Sequence, residues 1–314
     1  MTDRLRVVFF GTPELAASSL AALLDARADV DVPLVVTQPD RPVGRHAEPR
    51  PSAVAALAAS RGVTVEKPET VRGNAALAAR IRDARPDALA VVAYGRILPR
   101  ELLEAPRLAP VNVHASLLPR HRGASPIQAA ILAGDAETGV ATMRMVEELD
   151  AGPVYLERRV PIGARETAGE LSARLAPLGG ELLVETLRGL AAGRLAARPQ
   201  PGEPTYCRTI RREDARADWS LDAASLDRAL RAYTPWPGLF TTLGSERIKI
   251  LEAEPSPRAA SHAPGTLYVE DGALLVSAGG GTALRIVRLQ RAGRGPVGAE
   301  AFAAGARLPV RLGS

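Results

Sequence analysis

A single cysteine, Cys207, is the entire thiol complement of this 314-residue chain. That excludes an internal disulfide framework, and no Cys/His run has the spacing of a metal site, so no metal cofactor is expected. Nothing around Cys207 argues for a nucleophile, and it reads as a packing or surface residue. Lysine is nearly as scarce. Only Lys67 and Lys249 occur, so arginine carries almost all of the positive charge behind a net +5. That sign permits an anionic partner without requiring one, and in so alanine-rich a chain base composition accounts for the arginine bias. No stretch approaches the roughly 18 consecutive apolar residues of a membrane span. The first residues run straight into a short apolar strand and carry no signal-peptide pattern. A cytoplasmic protein with no membrane partner, acting as a monomer, is expected. The four histidines, His46, His114, His121 and His262, are scattered.

What is present is an alternation of short apolar runs and helical periodicity. Strands are expected at Arg6–Phe10, Val32–Thr37, Ala88–Ala93 and Pro110–His114. Thr12 is suited to cap a first helix with Pro13 in its first turn, and Ser52 to cap a second that stops at Gly62. This pattern predicts an α/β fold, a Rossmann-like, mostly parallel sheet flanked by helices. The first strand ends in Gly11-Thr12-Pro13-Glu14, not the Gly-x-Gly-x-x-Gly loop that admits a pyrophosphate, and no Walker loop occurs, which argues against a nucleotide cofactor. Residues 191–204 are rich in Gly, Pro and polar residues, a linker signature. A helix at Asp222–Tyr233 and short apolar runs punctuated by Gly and Pro then predict a small, OB-like β-barrel. The expected division is a catalytic domain at 1–189, a linker at 190–206 and the barrel at 207–314.

The most informative segment is Asn112-Val-His-Ala-Ser-Leu-Leu-Pro-Arg-His-Arg-Gly123. On a strand, Asn112 and His114 point to the same face because side chains alternate with period two. An amide can donate to a developing oxyanion, and an imidazole can move a proton near neutral pH. Asp150, just before Ala151-Gly152-Pro153, can supply a carboxylate. These are the groups acyl transfer needs when no Ser or Cys acts as nucleophile.

That string resembles the signature of the 10-formyltetrahydrofolate-dependent formyltransferases. The resemblance extends to Phe9–Glu14, Thr37–Arg45, Val91–Pro99, Gly134–Val140, Asp218–Ser220 and Pro235–Gly238, over nearly the whole chain. Thr37–Arg45 and the second domain point to the branch whose acceptor is the amino group of methionine on initiator methionyl-tRNA. The resemblance implies 10-formyltetrahydrofolate as donor and Asn112, His114 and Asp150 as the catalytic trio. It places Ser116, Leu117, Leu118 and Pro119 at the folate, with a cis peptide at Leu118–Pro119, and Tyr94 and Gly95 as backbone contacts. It assigns tRNA contact to Arg45, with Arg41 beside it. Arg208 and Arg211, with Arg212 and Arg216, are expected to meet phosphates in the barrel domain. Trp219 and Trp236 have rings that could stack on bases, but core packing is the expectation for both.

Two departures stand out. The family usually has a glycine shortly before the Leu-Asp of the catalytic loop, where this chain has Glu147-Glu148-Leu149-Asp150. The loop after Arg45 often carries several lysines and here reads His46-Ala47-Glu48-Pro49-Arg50. Competing readings are sugar-nucleotide formylation, folate hydrolysis with water in place of the amine, and an RNA-binding protein without turnover. The Thr37–Arg45 and Pro235–Gly238 segments count against the first, and the complete trio against the last.

Overall fold

The computed structural model describes residues 4–42 and 48–313. The chain divides into two compact units, one formed by Met1–Pro126, Glu137–Pro161 and Ser172–Arg208, the other by Ile127–Ala136, Ile162–Leu171 and Thr209–Ser314.

The first unit is built on a seven-stranded sheet. Its strands are β1 (Leu5–Gly11), β2 (Val30–Val36), β3 (Val65–Glu66), β4 (Ala88–Val92), β5 (Ala109–His114), β6 (Glu137–Arg144) and β7 (Val154–Pro161). They lie in the order β7-β6-β5-β4-β1-β2-β3, parallel from β5 to β3, with β6 and β7 antiparallel at the other edge. β4 and β5 are buried at every residue, as unbroken apolar strands are when both faces of a parallel sheet are covered. Alternation along β1 sorts the two cores. Val7 and Phe9 pack with Leu20 and Leu23 of helix α1 (Glu14–Asp25) and Val54 of α2 (Ala53–Ser60). Val8 and Phe10 pack with Leu77 and Ile81 of α3 (Ala75–Asp83). The long helix α4 (Ala168–Ala191) adds Leu183 and Leu187 to the first core. Its Gly180 permits a close approach, since an added Cβ would lie 2.9 Å from that of Ala22.

Ser52 caps α2 as expected, its hydroxyl accepting from the Ala55 N–H at 3.0 Å. Thr12 does not cap α1. Pro13 takes the cap position, and the Thr12 hydroxyl instead donates to the Tyr94 carbonyl. The segment 191–204 is also fastened more firmly than its composition implies. Arg198 exchanges two 2.8 Å backbone hydrogen bonds with Val154, and Tyr206–Cys207 pairs in parallel with Arg122–Gly123. Irregular chain lying against a core must place its peptide groups somewhere, and here they join strand edges.

The second unit holds a nearly closed, antiparallel, barrel-like sheet. Its strands are β8 (Phe240–Leu243), β9 (Glu246–Ala259), β10 (Thr266–Glu270), β11 (Ala273–Ser277), β12 (Thr282–Arg291), β13 (Pro296–Gly298) and β14 (Val310–Arg311). The order is β8-β9-β12-β11-β10-β14, with β13 beside β12. Helix α5 (Ala223–Ala232), capped by Asp222 on the Ser225 N–H at 2.6 Å, buries Leu226 and Leu230 against Ile248, Ile250 and Leu289.

Candidate active site

In the first unit the chain leaves β1 for β2 on one side and later returns to β4 on the other. Ligands of open α/β sheets bind outside the carboxyl ends of strands at such a reversal. Thr12 and Gln38, from the segments after β1 and β2, both donate to the Tyr94 carbonyl just beyond β4, at 3.3 and 2.7 Å. One strand over, β5 carries Asn112 and His114.

Val111 and Val113 belong to the core beneath α1 and α4, so Asn112 and His114 occupy the opposite face. Asn112 pairs in register with Val91 on one side and Met143 on the other. It is only 9% exposed, and its carboxamide has no hydrogen-bond partner among the described residues. Neither polar atom of the amide is sealed from solvent, so its donors stay available to a ligand.

His114 is buried as well. Its Nε2 lies 3.0 Å from the His121 carbonyl oxygen, an acceptor only, so Nε2 carries a proton and donates. Nδ1 is then the nitrogen that gains or loses a proton, and it faces Asp150 Oδ2 at 3.7 Å. The same Oδ2 accepts from the Gly123 N–H at 2.8 Å. Asp150 Oδ1 has no partner among the described residues. The structure thus brings together the three residues expected from sequence.

The loop after β6 delivers that carboxylate. Asp150 has φ +48°, one of five non-glycine residues with positive φ among the described residues, and Ala93 and His121 are two others. Such backbone costs about 1–3 kcal/mol per residue and persists where its surroundings hold it. Glu148 needs no glycine-like backbone. The left-handed residue is Asp150, and the Glu148 side chain is 72% exposed, 3.9 Å from Arg122. Gly152 does need to be glycine, for an added Cβ would lie 1.7 Å from the Arg144 carbonyl oxygen.

The Ser116–Pro119 corner is nearly closed from solvent. Ser116 donates to the Arg120 carbonyl at 2.7 Å, and the Leu118–Pro119 peptide is cis. Leu118 packs on Ala141 and Met143, while Leu117 lies over Gly139 of β6. Exposed apolar surface comes from Ile97 in the loop after β4 and from Val146 and Leu149 in the loop after β6; of these, only Leu149 falls in a segment, Glu147–Leu149, that the resemblance sets near the folate. Arg100, at the start of the short helix that follows the first of these loops, is held above the usual arginine range chiefly by its hydrogen bond to Glu104, with the charge of Glu147 adding to it. The Tyr94 ring stacks edge-on against Phe10 in the core, and burial, partly opposed by Arg96, pushes its phenol up. Gly95 has φ +77°, and an added Cβ there would press on Gln38 Nε2 at 2.6 Å.

Arg122 and Gln200 were also missed as contributors. Arg122 stood in the recognised string without a role, and Gln200 was hidden in a Pro-rich stretch. Cys207 is close by, but burial pushes its thiol up, against a hydrogen bond from Ser125. Ser116 is held by its own hydrogen bond. Neither is set up as a nucleophile.

Arg45 lies outside the described residues. Arg41 is exposed, donates to Gln38 Oε1 at 2.7 Å, and sits on a short ribbon in which Arg41–Pro42 pairs with Pro49–Arg50. Arg208 and Arg211 are exposed, and Arg211 leads into a turn where its N–H donates to Asp214 at 2.7 Å. Trp219 is in the core as expected, donating to Thr241 at 3.1 Å. Trp236 is not. It is 53% exposed, because the Pro235-Trp236-Pro237 turn carries it out of the barrel's apolar interior. Among the described residues no three His, Cys, Asp or Glu side chains gather as a metal site, and no helix is long and apolar enough to cross a membrane.

An amide and an imidazole on one face of an α/β sheet, with a carboxylate brought to the imidazole by a loop, have the make-up of a group-transfer site. More particularly, the chain belongs to the formyl transferase family. The family described as "Formyl transferase" matches residues 5–187, and "Formyl transferase, C-terminal domain" matches residues 209–307. The chain is 47% identical to a methionyl-tRNA formyltransferase of Aromatoleum aromaticum over 314 residues, covering 98% of this chain and 96% of that one. It is 47% identical to a methionyl-tRNA formyltransferase of Anaeromyxobacter dehalogenans, over 99% of this chain and all of that one. Its fold is shared with WlaRD, a sugar 3N-formyl transferase solved in the presence of dTDP and 5-N-formyl-THF, with a TM-score of 0.65, 14% identity, and coverage of 93% and 99%.

Proposed function

We propose that this formyltransferase transfers the formyl group of 10-formyltetrahydrofolate to the amino group of methionine on initiator methionyl-tRNA, acting as a monomer in the cytosol. The observation that carries the chemistry is the Asn112 carboxamide, its donors unpaired among the described residues, on the same strand face as His114 of the His114–Asp150 pair. In the reaction a bond forms between the methionine nitrogen and the formyl carbon, and the bond from that carbon to folate N10 breaks. Asn112 donates to the oxygen as it gains charge. Asp150 Oδ1 takes the proton leaving the amine, through a water, and returns it to the folate nitrogen. His114, tied to the His121 carbonyl, responds at Nδ1 and balances the charge on Asp150. The donor's flat heterocycle suits the exposed apolar side chains of Ile97, Val146 and Leu149, with Ser116–Pro119, Tyr94 and Gly95 as its other contacts.

For the acceptor we assign residues 1–189 to catalysis and 207–314 to tRNA binding, with Arg45, Arg41, Arg208 and Arg211 meeting phosphates. The barrel unit supports that reading with one basic hollow lined by Arg212, Trp236, Arg247 and Lys249. Arg247 lies over the Phe240 ring at 3.5 Å, and its Nε is buried without a partner among the described residues. Arg212 and Lys249 form no ion pair among the described residues. Cations around an exposed indole suit phosphates and an unstacked base.

The test is formyl transfer to methionyl initiator tRNA with methionyl elongator tRNA as control. Selective formylation of the initiator is expected. Folate binding with no transfer to either tRNA would reject the acceptor and direct attention to amino-sugar nucleotides.

A further inference from the structure

We infer that Gln200 is a positioning residue that, backed by Arg122, sets the conformation of the Asp150 loop. Its Nε2 donates to the carbonyls of both Asp150 and Gly152, each at 2.7 Å. Its Oε1 accepts from Arg122 Nε at 3.1 Å and Nη2 at 2.8 Å. Both amide protons and both oxygen lone pairs are thereby used. The orientation is forced, since a flipped amide would set its oxygen against two carbonyls and its NH₂ against a guanidinium. Arg122 is itself buried, and its remaining Nη1 reaches the Tyr206 hydroxyl at 3.4 Å.

The two grips on the loop are complementary. Gly123, the residue after Arg122, holds the Asp150 carboxylate by its N–H. Gln200 holds the backbone on either side of Ala151, where Asp150 takes its left-handed φ of +48°. Without Gln200 the two carbonyls lose their side-chain donor, and the backbone around Asp150 keeps only the long Ala151 N–H to Glu148 carbonyl bond of 3.4 Å and, beyond Gly152, the Arg144 N–H on the Pro153 carbonyl at 2.9 Å. Gln200 touches no reacting atom, so its effect must pass through the placement of Asp150 relative to His114.

This inference rests on Asp150 acting in catalysis, so Asp150→Asn serves as the reference. Gln200→Ala removes all four contacts. Gln200→Glu keeps an oxygen for Arg122 but offers the carbonyls no donor. Both are expected to lower kcat for formyl transfer by about 100-fold, the scale of a misplaced catalytic group. KM for both substrates should stay near wild type, while the thermal midpoint falls, since the two carbonyls lose their donor in both variants and Arg122 loses its partner in Gln200→Ala. The Gly123 amide resonance, which reports the hydrogen bond to Asp150, should shift in both variants while amides of β1 and β4 do not. Wild-type kcat in Gln200→Glu, an unmoved Gly123 amide, or a kcat loss accompanied by a raised KM would overturn the inference. Full activity in Asp150→Asn would overturn the catalytic assignment beneath it instead.

Discussion

His114 Nδ1 faces Asp150 Oδ2 at 3.7 Å while its Nε2 donates to the His121 carbonyl. The second contact decides the meaning of the first. With Nε2 committed as a donor, only Nδ1 changes its proton, and it does so directly opposite a carboxylate. Asp150→Asn keeps the shape of the side chain but removes that charge. A fall in kcat of about 10²–10⁴ is expected, the usual contribution of a positioned acid–base group, with an unchanged circular dichroism spectrum. Single-turnover formyl transfer measures it, and near-normal turnover would contradict the assignment.

Asn112→Ala should cost about 10²–10³ in kcat, as loss of one oxyanion donor does. Because the carboxamide has no partner among the described residues, no internal hydrogen bond is lost with it. Thermal stability should hold or rise slightly. Folate affinity measured by fluorescence titration should change little, which separates this variant from one that damages the donor pocket.

Gly152→Ala tests the loop from another side. A Cβ 1.7 Å from the Arg144 carbonyl oxygen cannot be relieved by a rotamer, so the backbone must move. Overpacking of this kind costs about 1–3 kcal/mol, and the strain falls two residues from Asp150. Activity should fall more steeply than the thermal midpoint. A fully active variant would show that the loop tolerates displacement.

The two tryptophans should behave oppositely. Trp219→Ala opens a cavity in the barrel core and strands Thr241, and a loss of about 3–5 kcal/mol is expected in chemical denaturation. Trp236→Ala should leave stability nearly unchanged and weaken tRNA binding, by about 1–3 kcal/mol if a base stacks there. Binding measured across a salt series should weaken with added salt, with a shallower slope for Lys249→Ala. Wild-type tRNA affinity in Trp236→Ala would remove the indole from the interface.

Cys207 gives a pH prediction. Burial raises its pKa, so the neutral thiol persists to higher pH than in a free cysteine. The thiolate is the reactive form. Alkylation by iodoacetamide should therefore be slow at neutral pH and accelerate only above the ordinary thiol range. Labelling as fast as free cysteine at pH 7 would contradict the burial.

Local signals in this chain were readable without coordinates. Period-two alternation put Asn112 and His114 on one face of β5, and Ser52 announced its helix, because strand facing and helix capping depend on residues a few positions apart. The cap at Thr12 was misread because its hydroxyl is drawn to the carbonyl of Tyr94, a partner supplied by a different strand. The same limit governs the site. The sequence nominates Asp150, but only the folded chain brings it to Nδ1 of His114, through a left-handed backbone that two hydrogen bonds from Gln200 hold. A Pro-rich stretch reads as a linker by composition, yet its one glutamine is fully engaged. Trp236 is as apolar as Trp219 on any scale, and the turn alone puts one in water and the other in the core. Contacts between distant segments depend on register, chain path and the satisfaction of buried polar groups, and those are properties of the assembled fold.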